Sequence, residues 1–309
     1  MDLLSDILDS LSLQGQFYFR TCFSNPFSIN VPDYASVIRF HYAVQGDCYV
    51  RTGDDPPVFL RQGDLVLVPG GAAHILSDTP DREPAPLDQV KADNEYDGGP
   101  VFVVGEGCEN AATHLMCGHF DFAVGGSHPL LRSLPKLLHV SASMRSSAFW
   151  LDEALRLMAR QMAEDNPGSM AVVRRMSEII FIETVRSSAP QSPQLAGLME
   201  ALGDPKISRA LQAMHHNVAA NWTVEALAGE AAMSRSRFAA RFQELVGCGP
   251  LTYLAEWRLQ KACALLRQGQ VSIQEVAGRI GYQSPAAFTR AFANMFGESP
   301  TSFRARLAA

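Results

Sequence analysis

Residues 223–246, TVEALAGEAAMSRSRFAARFQELV, return as residues 272–296, SIQEVAGRIGYQSPAAFTRAFANMF. Phe238, Phe242, Gly247, Pro250 and Tyr253 recur at an offset of 50 as Phe288, Phe292, Gly297, Pro300 and Phe303. Upstream the offset is 49, with Leu227-Ala228-Gly229 and Ala232 matching Val276-Ala277-Gly278 and Gly281, so the second copy carries one extra residue in its turn. Such an internal repeat marks a duplicated supersecondary unit. Each copy reads as helix, tight turn, helix. Thr223 opens the first helix of one copy, and Ser272 with Glu275 forms a capping box in the other. Ala232 and Gly281 supply the small residue that the turn needs. The second helices, about Arg235–Val246 and Pro285–Phe296, bury phenylalanines at i,i+4 and leave Arg235, Arg237 and Arg241, or Thr289 and Arg290, on outer faces. This is how a helix-turn-helix offers its second helix to the major groove. Between the copies, LTYLAEWRLQKACALLRQG reads as one continuous helix. About 18 residues at ~1.5 Å each span ~27 Å, close to the ~34 Å of one DNA turn, so both second helices can face successive major grooves.

A net charge of −6 on 309 residues argues at first against nucleic acid, but the charge is unevenly spread. From Lys206 onward there are 12 Lys+Arg against 6 Asp+Glu, whereas residues 1–205 hold 14 against 26. A basic third follows an acidic two-thirds. With 47% hydrophobic residues the chain can bury a substantial core, its length suggests two domains, and dominant disorder is excluded. No apolar run approaches the ~18–20 residues of a membrane span. The N-terminus, MDLLSDILDS, carries acids where a signal peptide carries bases, so a cytoplasmic protein without membrane contact is expected.

The basic third resembles the AraC/XylS family of bacterial transcription regulators over roughly residues 208–306, on PLTYLAEWRLQKACALLRQG and SIQEVAGRIGYQSPAAFTRAFANMFGESPTSFR. The resemblance implies two helix-turn-helix units on an asymmetric half-site of double-stranded promoter DNA, with RNA polymerase as a partner and a homodimer as the working form. It places base-edge contacts at Arg235, Ser236, Ala239 and Ala240, and at Ala286, Ala287, Thr289 and Arg290. Ala239 and Ala240 can offer only methyl contacts, leaving that helix to rely on its arginines for phosphates. Arg290 is the best base reader, because a guanidinium pairs bidentately with guanine.

Upstream, residues 15 to about 124 are rich in β-branched and aromatic residues punctuated by Gly and Pro, as in VIRFHYAV and VFVVGEG, and imply a β-sandwich or barrel. Residues 78–100, with four prolines and many acids, read as a mobile exposed insertion without chemistry. From Ala148 the period becomes helical. Leu151, Leu155, Met158 and Met162 form one stripe and Val172, Met176, Ile179 and Ile182 another, across a break at Asn166-Pro167-Gly168. The hairpin either caps the sheet or also serves dimerisation. SSAPQSPQLAG, 187–197, is the best linker. The expected class is α+β: a cupin-like β-barrel sensor at 1–146, a helical hairpin at 147–189, a linker at 190–206 and an all-α double helix-turn-helix domain at 207–309.

GDLVLVPGGAAH has the spacing of the second cupin motif, Gly63, Pro69-x-Gly71 and His74. The first motif is incomplete: HYAVQG keeps His41 and Gly46 but lacks the HxH pair and glutamate of metal-dependent cupin enzymes. A cupin oxygenase fused to a DNA-binding domain is therefore disfavoured, and no catalytic residue is expected. The whole chain resembles the branch of the family whose cupin domain is found in a reactive-chlorine-sensing activator, on Cys22, SVIRFHYAVQG, GDLVLVPGGAAH, LMCGHFDF with Cys117, and HPLLRSLPKLLHV. That resemblance implies oxidant sensing at Cys22 and Cys117 and matches His41 and His74 to the cupin histidines. A pocket holding His41, His74, Cys117 and Cys22 would suit Zn2+ or another divalent transition metal, with His119 in reserve. The alternative is a pocket for a small organic effector in which His41 and His74 are hydrogen-bonded core residues and Cys117 is inert. The six cysteines show no CxxC spacing and are expected to start reduced, with Cys248 and Cys263 structural.

Overall fold

Two-residue alternation and helical periodicity divide the computed structural model as they divide the sequence; it describes residues 2–11, 13–34, 37–122, 128–142, 149–164, 166–269 and 271–308. In chain order the strands are β1 (Gln14–Phe23), β2 (Ser28–Val31), β3 (Val37–Gln45), β4 (Cys48–Thr52), β5 (Val58–Leu60), β6 (Leu65–Val68), β7 (His74–Ser77), β8 (Ala85–Pro86), β9 (Val101–Val104), β10 (Thr113–Asp121) and β11 (Leu138–Val140). The expected cupin β fold takes the form of two sheets, ordered β11-β6-β3-β10-β1-β9 and β5-β4-β7-β2-β8. Phe23, Ala43, Phe102 and Leu115 of the larger sheet share one core with Ile29, Val50 and Leu76 of the smaller.

The other face of the larger sheet carries Phe40 and Phe120, and the helical hairpin covers it. The thirteen described helices begin with α1 (Leu3–Leu11), α2 (Leu87–Asp93) and α3 (Pro129–Arg132); the hairpin is α4 (Phe149–Glu164) and α5 (Ser169–Ser188). Phe120 and Phe181 rings meet at 5.0 Å. A Cβ on Gly15 would lie 1.9 Å from Ser177 Oγ, so only glycine lets α5 settle on β1. Leu155 and Met158 are buried as expected, while the side chains of Leu151 and Met162 lie outside the described residues. The α5 stripe is corrected: Val173, Ser177, Ile180, Thr184 and Ser188 face inward, and Val172 and Ile179 stand 41% and 50% exposed. Small hydroxyl residues on the packed face hid it from an apolar count.

The reading of 78–100 as a mobile, exposed loop is also corrected. It forms β8 and α2, buries Val90, and packs Leu87 and Tyr96 on the core. An ion pair between Arg82 and Asp78 and the bond from Tyr96 Oη to the Gly99 carbonyl (2.6 Å) pin it further.

The chain forms two compact units, one of residues 14–121 and 135–188, the other of 1–13, 122–134 and 189–309. The second unit adds α6 (Pro193–Gly203), α7 (Ile207–His216), α8 (Val224–Glu230), α9 (Arg235–Val246), α10 (Pro250–Arg267), α11 (Ile273–Arg279), α12 (Pro285–Phe296) and α13 (Pro300–Ala308). The boundaries at 146 and 190–206 thus give way. Residues 190–206 are no linker: Ser192 Oγ accepts the Leu195 N–H, Pro193 takes the first turn, and Leu195, Leu198 and Ala201 are buried. Nor does the N-terminal segment belong to the β unit. In α1, Asp6 accepts from His215 Nδ1 at 2.7 Å and Lys261 Nζ at 2.8 Å. His215 Nε2 in turn accepts from Tyr253 Oη at 2.7 Å, and its ring stacks on Trp257 at 3.8 Å.

Candidate functional site

The duplicated unit is built as its repeat requires. Thr223 Oγ1 accepts the Ala226 N–H and Ser272 Oγ the Glu275 N–H, opening α8 and α11. The Glu275 carboxylate pairs with Arg279. Ala232 (φ +49) and Gly281 (φ +83) both turn left-handed between the helices. Phe238, Phe242, Phe288 and Phe292 are fully buried, which fixes the outward faces of α9 and α12. Arg235, Ser236, Arg237 and Ala240 are exposed on α9, with Ala239 half-buried; on α12, Ala286 and Arg290 are exposed, with Ala287 and Thr289 half-buried. Arg241 differs from its neighbours, for its guanidinium pairs with Glu200 and with Glu244, the latter at 3.1 Å. The connecting helix α10 is continuous over 18 residues.

The β unit holds a partly open cavity of about 350 Å3 between its sheets, with α2 at the rim. Its walls are largely apolar: Phe19, Phe23, Ile29, Leu76 and Phe102, with Tyr18 and Tyr34 beside Arg39. His41, Cys117 and Arg39 also line it. β3 and β10 set His41 opposite Cys117, and β7 brings His74 from the other sheet. His74 Nδ1 donates to the Ala72 carbonyl at 2.8 Å, so in the neutral ring its Nε2 accepts from His41 Nε2 at 2.7 Å. His41 Nδ1 is then the acceptor for the Cys117 thiol at 3.1 Å. Burial, followed by the neighbouring His74 and Arg39, holds His41 well below the usual imidazole range, and burial takes His74 down to about 4. Burial pushes the Cys117 thiol far up. All three groups are neutral and mutually satisfied.

The predicted four-residue set is therefore not assembled. Cys22 pairs in register with His114, and Cys117 with Phe19, so alternation puts Cys22 on the face of β1 opposite the cavity wall formed by Phe19, Thr21 and Phe23. Cys22 forms a disulfide with Cys108, Cα atoms 5.0 Å apart, and His114 Nδ1 lies 3.8 Å from its sulfur. The expectation that all six cysteines start reduced is corrected by this bond. His119 is bonded to Asp121 at 3.0 Å rather than joining His41. Among the described residues no group of three or more His, Cys, Asp or Glu side chains could hold a metal ion. Here His41 has both nitrogens engaged, by Cys117 and by His74. Arg39 was missed in the sequence. Its signal was a charge within VIRFHYAV at the same alternation as His41.

A β sensor fold of cupin type and a duplicated helix-turn-helix in one chain together define a transcription regulator. The cupin family matches residues 2–189, and a helix-turn-helix domain family matches residues 227–306. The HTH-type transcriptional regulator AlkR of Acinetobacter baylyi is 32% identical over 308 residues, covering 98% of this chain and 99% of that protein. A Streptomyces antibioticus protein described as an AraC-like transcription regulator is 31% identical over 311 residues, covering 98% of each chain. The RCS-specific HTH-type transcriptional activator RclR of Escherichia coli is 28% identical over 273 residues, 88% of this chain and 86% of that one. The chain belongs to the AraC family of transcription regulators that carry an N-terminal cupin domain. These names agree with the expectation of a regulator rather than an enzyme. Among the described residues no helix is long and apolar enough to cross a membrane.

Proposed function

We propose that this regulator reads promoter DNA through α9 and α12 and changes that reading when a small organic effector occupies the sensor cavity. The largely apolar, partly open cavity carries the reading: it has the size and lining of a ligand pocket, while the histidines and thiol in its wall satisfy one another. Arg235 and Arg237 contact phosphates and Arg290 reads a base; Arg241, already paired with acids, contributes less than its position suggests. The protein works as a homodimer next to RNA polymerase, and the exposed apolar face of α5 supplies the contact between copies.

Titration of the promoter fragment at several salt concentrations tests the DNA half of this reading. Affinity falls steeply with salt. Arg290→Ala weakens the specific site by roughly 1–3 kcal/mol with little change on unrelated DNA. Unchanged specific binding by that variant would remove Arg290 as a reader. Leu76→Trp, which fills the cavity, abolishes the response of a promoter reporter while leaving DNA binding intact; a full response overturns the cavity as the effector site.

A second reading is favoured by the Cys22–Cys108 bond. Here the redox pair is Cys22 with Cys108, and Cys117 takes no part. Two thiols and hypochlorous acid yield the disulfide, chloride, a proton and water, with His114 placed to accept a proton from Cys22. The likeness to RclR supports this reading. A reporter that answers oxidant equally well with Cys108→Ser overturns it.

A further inference from the structure

We infer that the cavity of the sensor unit takes a small organic anion, a carboxylate on an apolar body, and that Arg39 holds the carboxylate. This rests on the cavity being the effector site and names the chemistry of what it binds.

Arg39 sits in the middle of β3, paired with His119 and Val68, and lines the cavity wall on the same side as His41. It is only 7% exposed, yet among the described residues its guanidinium makes no hydrogen bond or ion pair, and its buried Nε is left without a partner. The Tyr34 ring lies 5.7 Å from its Cζ, a contact that attracts a cation without neutralising it. Asp33 is exposed and acts on it only through space, short of an ion pair; His119 is bonded to Asp121. The His41, His74 and Cys117 chain is neutral and closed on itself, so it offers no countercharge. At the rim, α2 contributes Lys91 and Asp88, one of each sign.

A buried cation without a partner is strongly unfavourable in an apolar setting. The group that removes the deficit is a planar anion matching the guanidinium fork, and a carboxylate does so with two parallel hydrogen bonds. The rest of the cavity faces Phe23, Ile29, Leu76 and Phe102, which ask for hydrocarbon or an aromatic ring. A neutral apolar compound would fill the same walls and leave Arg39 unpaired. The site is therefore selective for the acid over its uncharged analogue.

Isothermal titration of the full chain at neutral pH with octanoate and 3-phenylpropanoate, each against its primary amide, tests this. The acids bind at least tenfold more tightly than the amides. In Arg39→Met the difference disappears while the affinity for the amides is kept; in Arg39→Lys part of the preference survives. Met retains the apolar stem and removes an unpaired buried charge, so folding is preserved, and the amide affinity reports it directly. Equal binding of acid and amide by the native chain, or a preference that persists in Arg39→Met, overturns the assignment and leaves an organic effector site standing. Failure of all four compounds to bind overturns the effector reading along with it.

Discussion

His128 opens α3 with its own ring, Nδ1 accepting the Leu130 N–H at 3.0 Å, and this bond exists only while Nδ1 is unprotonated. Burial, with His215 and Arg132 nearby, takes its pKa down to about 3. The unfolded chain holds this imidazole near pH 6.5 and so binds more protons than the native state between the two values. Stability is complete above pH 6.5 and is lost as pH falls toward 3, by at most about 1.4 kcal/mol per pH unit from this group. Denaturant midpoints measured from pH 7 to 4 check this: His128→Asn, which keeps an acceptor and cannot titrate, flattens the slope, and an unchanged slope refutes the role. At this scale the sequence was legible where alternation alone decides. His41 and His74 meet as expected, but the place of Cys22 depends on the register shift between Phe17 and Phe19 in β1, which no local pattern announces.

Among the elements, the duplicated helix-turn-helix was almost wholly legible, because its geometry is local: caps, a left-handed turn and an i,i+4 pair of phenylalanines. The two copies differ at the turn, and that difference is measurable. Ala232 holds φ +49 with its side chain exposed, a strain that glycine relieves, so Ala232→Gly stabilises by up to about 1 kcal/mol after glycine's own entropy is subtracted. Gly281→Ala does the reverse by about 2 kcal/mol, since φ is +83 and the new Cβ would lie 2.7 Å from the Ala219 carbonyl oxygen. Urea titration of both variants checks the opposite signs. The hairpin was legible as helices but not in phase, because Ser177, Thr184 and Ser188 make the packed face. The exposed Val172 and Ile179, with Met176 between them, then form the contact between copies in our reading. Ile179→Glu shifts the light-scattering mass from dimer toward monomer; a mass unaffected by the change removes α5 from the interface.

For the whole molecule, the step in charge near Lys206 marks a real difference between the two units but not the path of the chain. Residues 1–13 and 122–134 fold with the DNA-reading unit, through partners as distant in sequence as Asp6 and His215. No composition shift could show this, because one carboxylate among many acids acquires its meaning from what it meets. Burial pushes Asp6 up, but the hydrogen bonds from His215 and Lys261 outweigh it and hold the group at about 2. Above the usual carboxylate range Asp6 is ionised in both folded and unfolded chains, and its pairing contributes in full; the contribution fades as pH falls toward 2. Asp6→Ala removes acceptors from a half-buried lysine and a buried imidazole, an expected loss of about 2 kcal/mol at neutral pH. Because α1 packs on α7 and α10, the loss belongs to one unit alone. Hydrogen exchange on the full chain reads it by segment: amides in α7 and α10 lose protection, those in β3 and β10 keep it, and specific DNA binding fails at a lower temperature. Lost protection in the strands with intact helices would return α1 to the sensor unit and overturn the division.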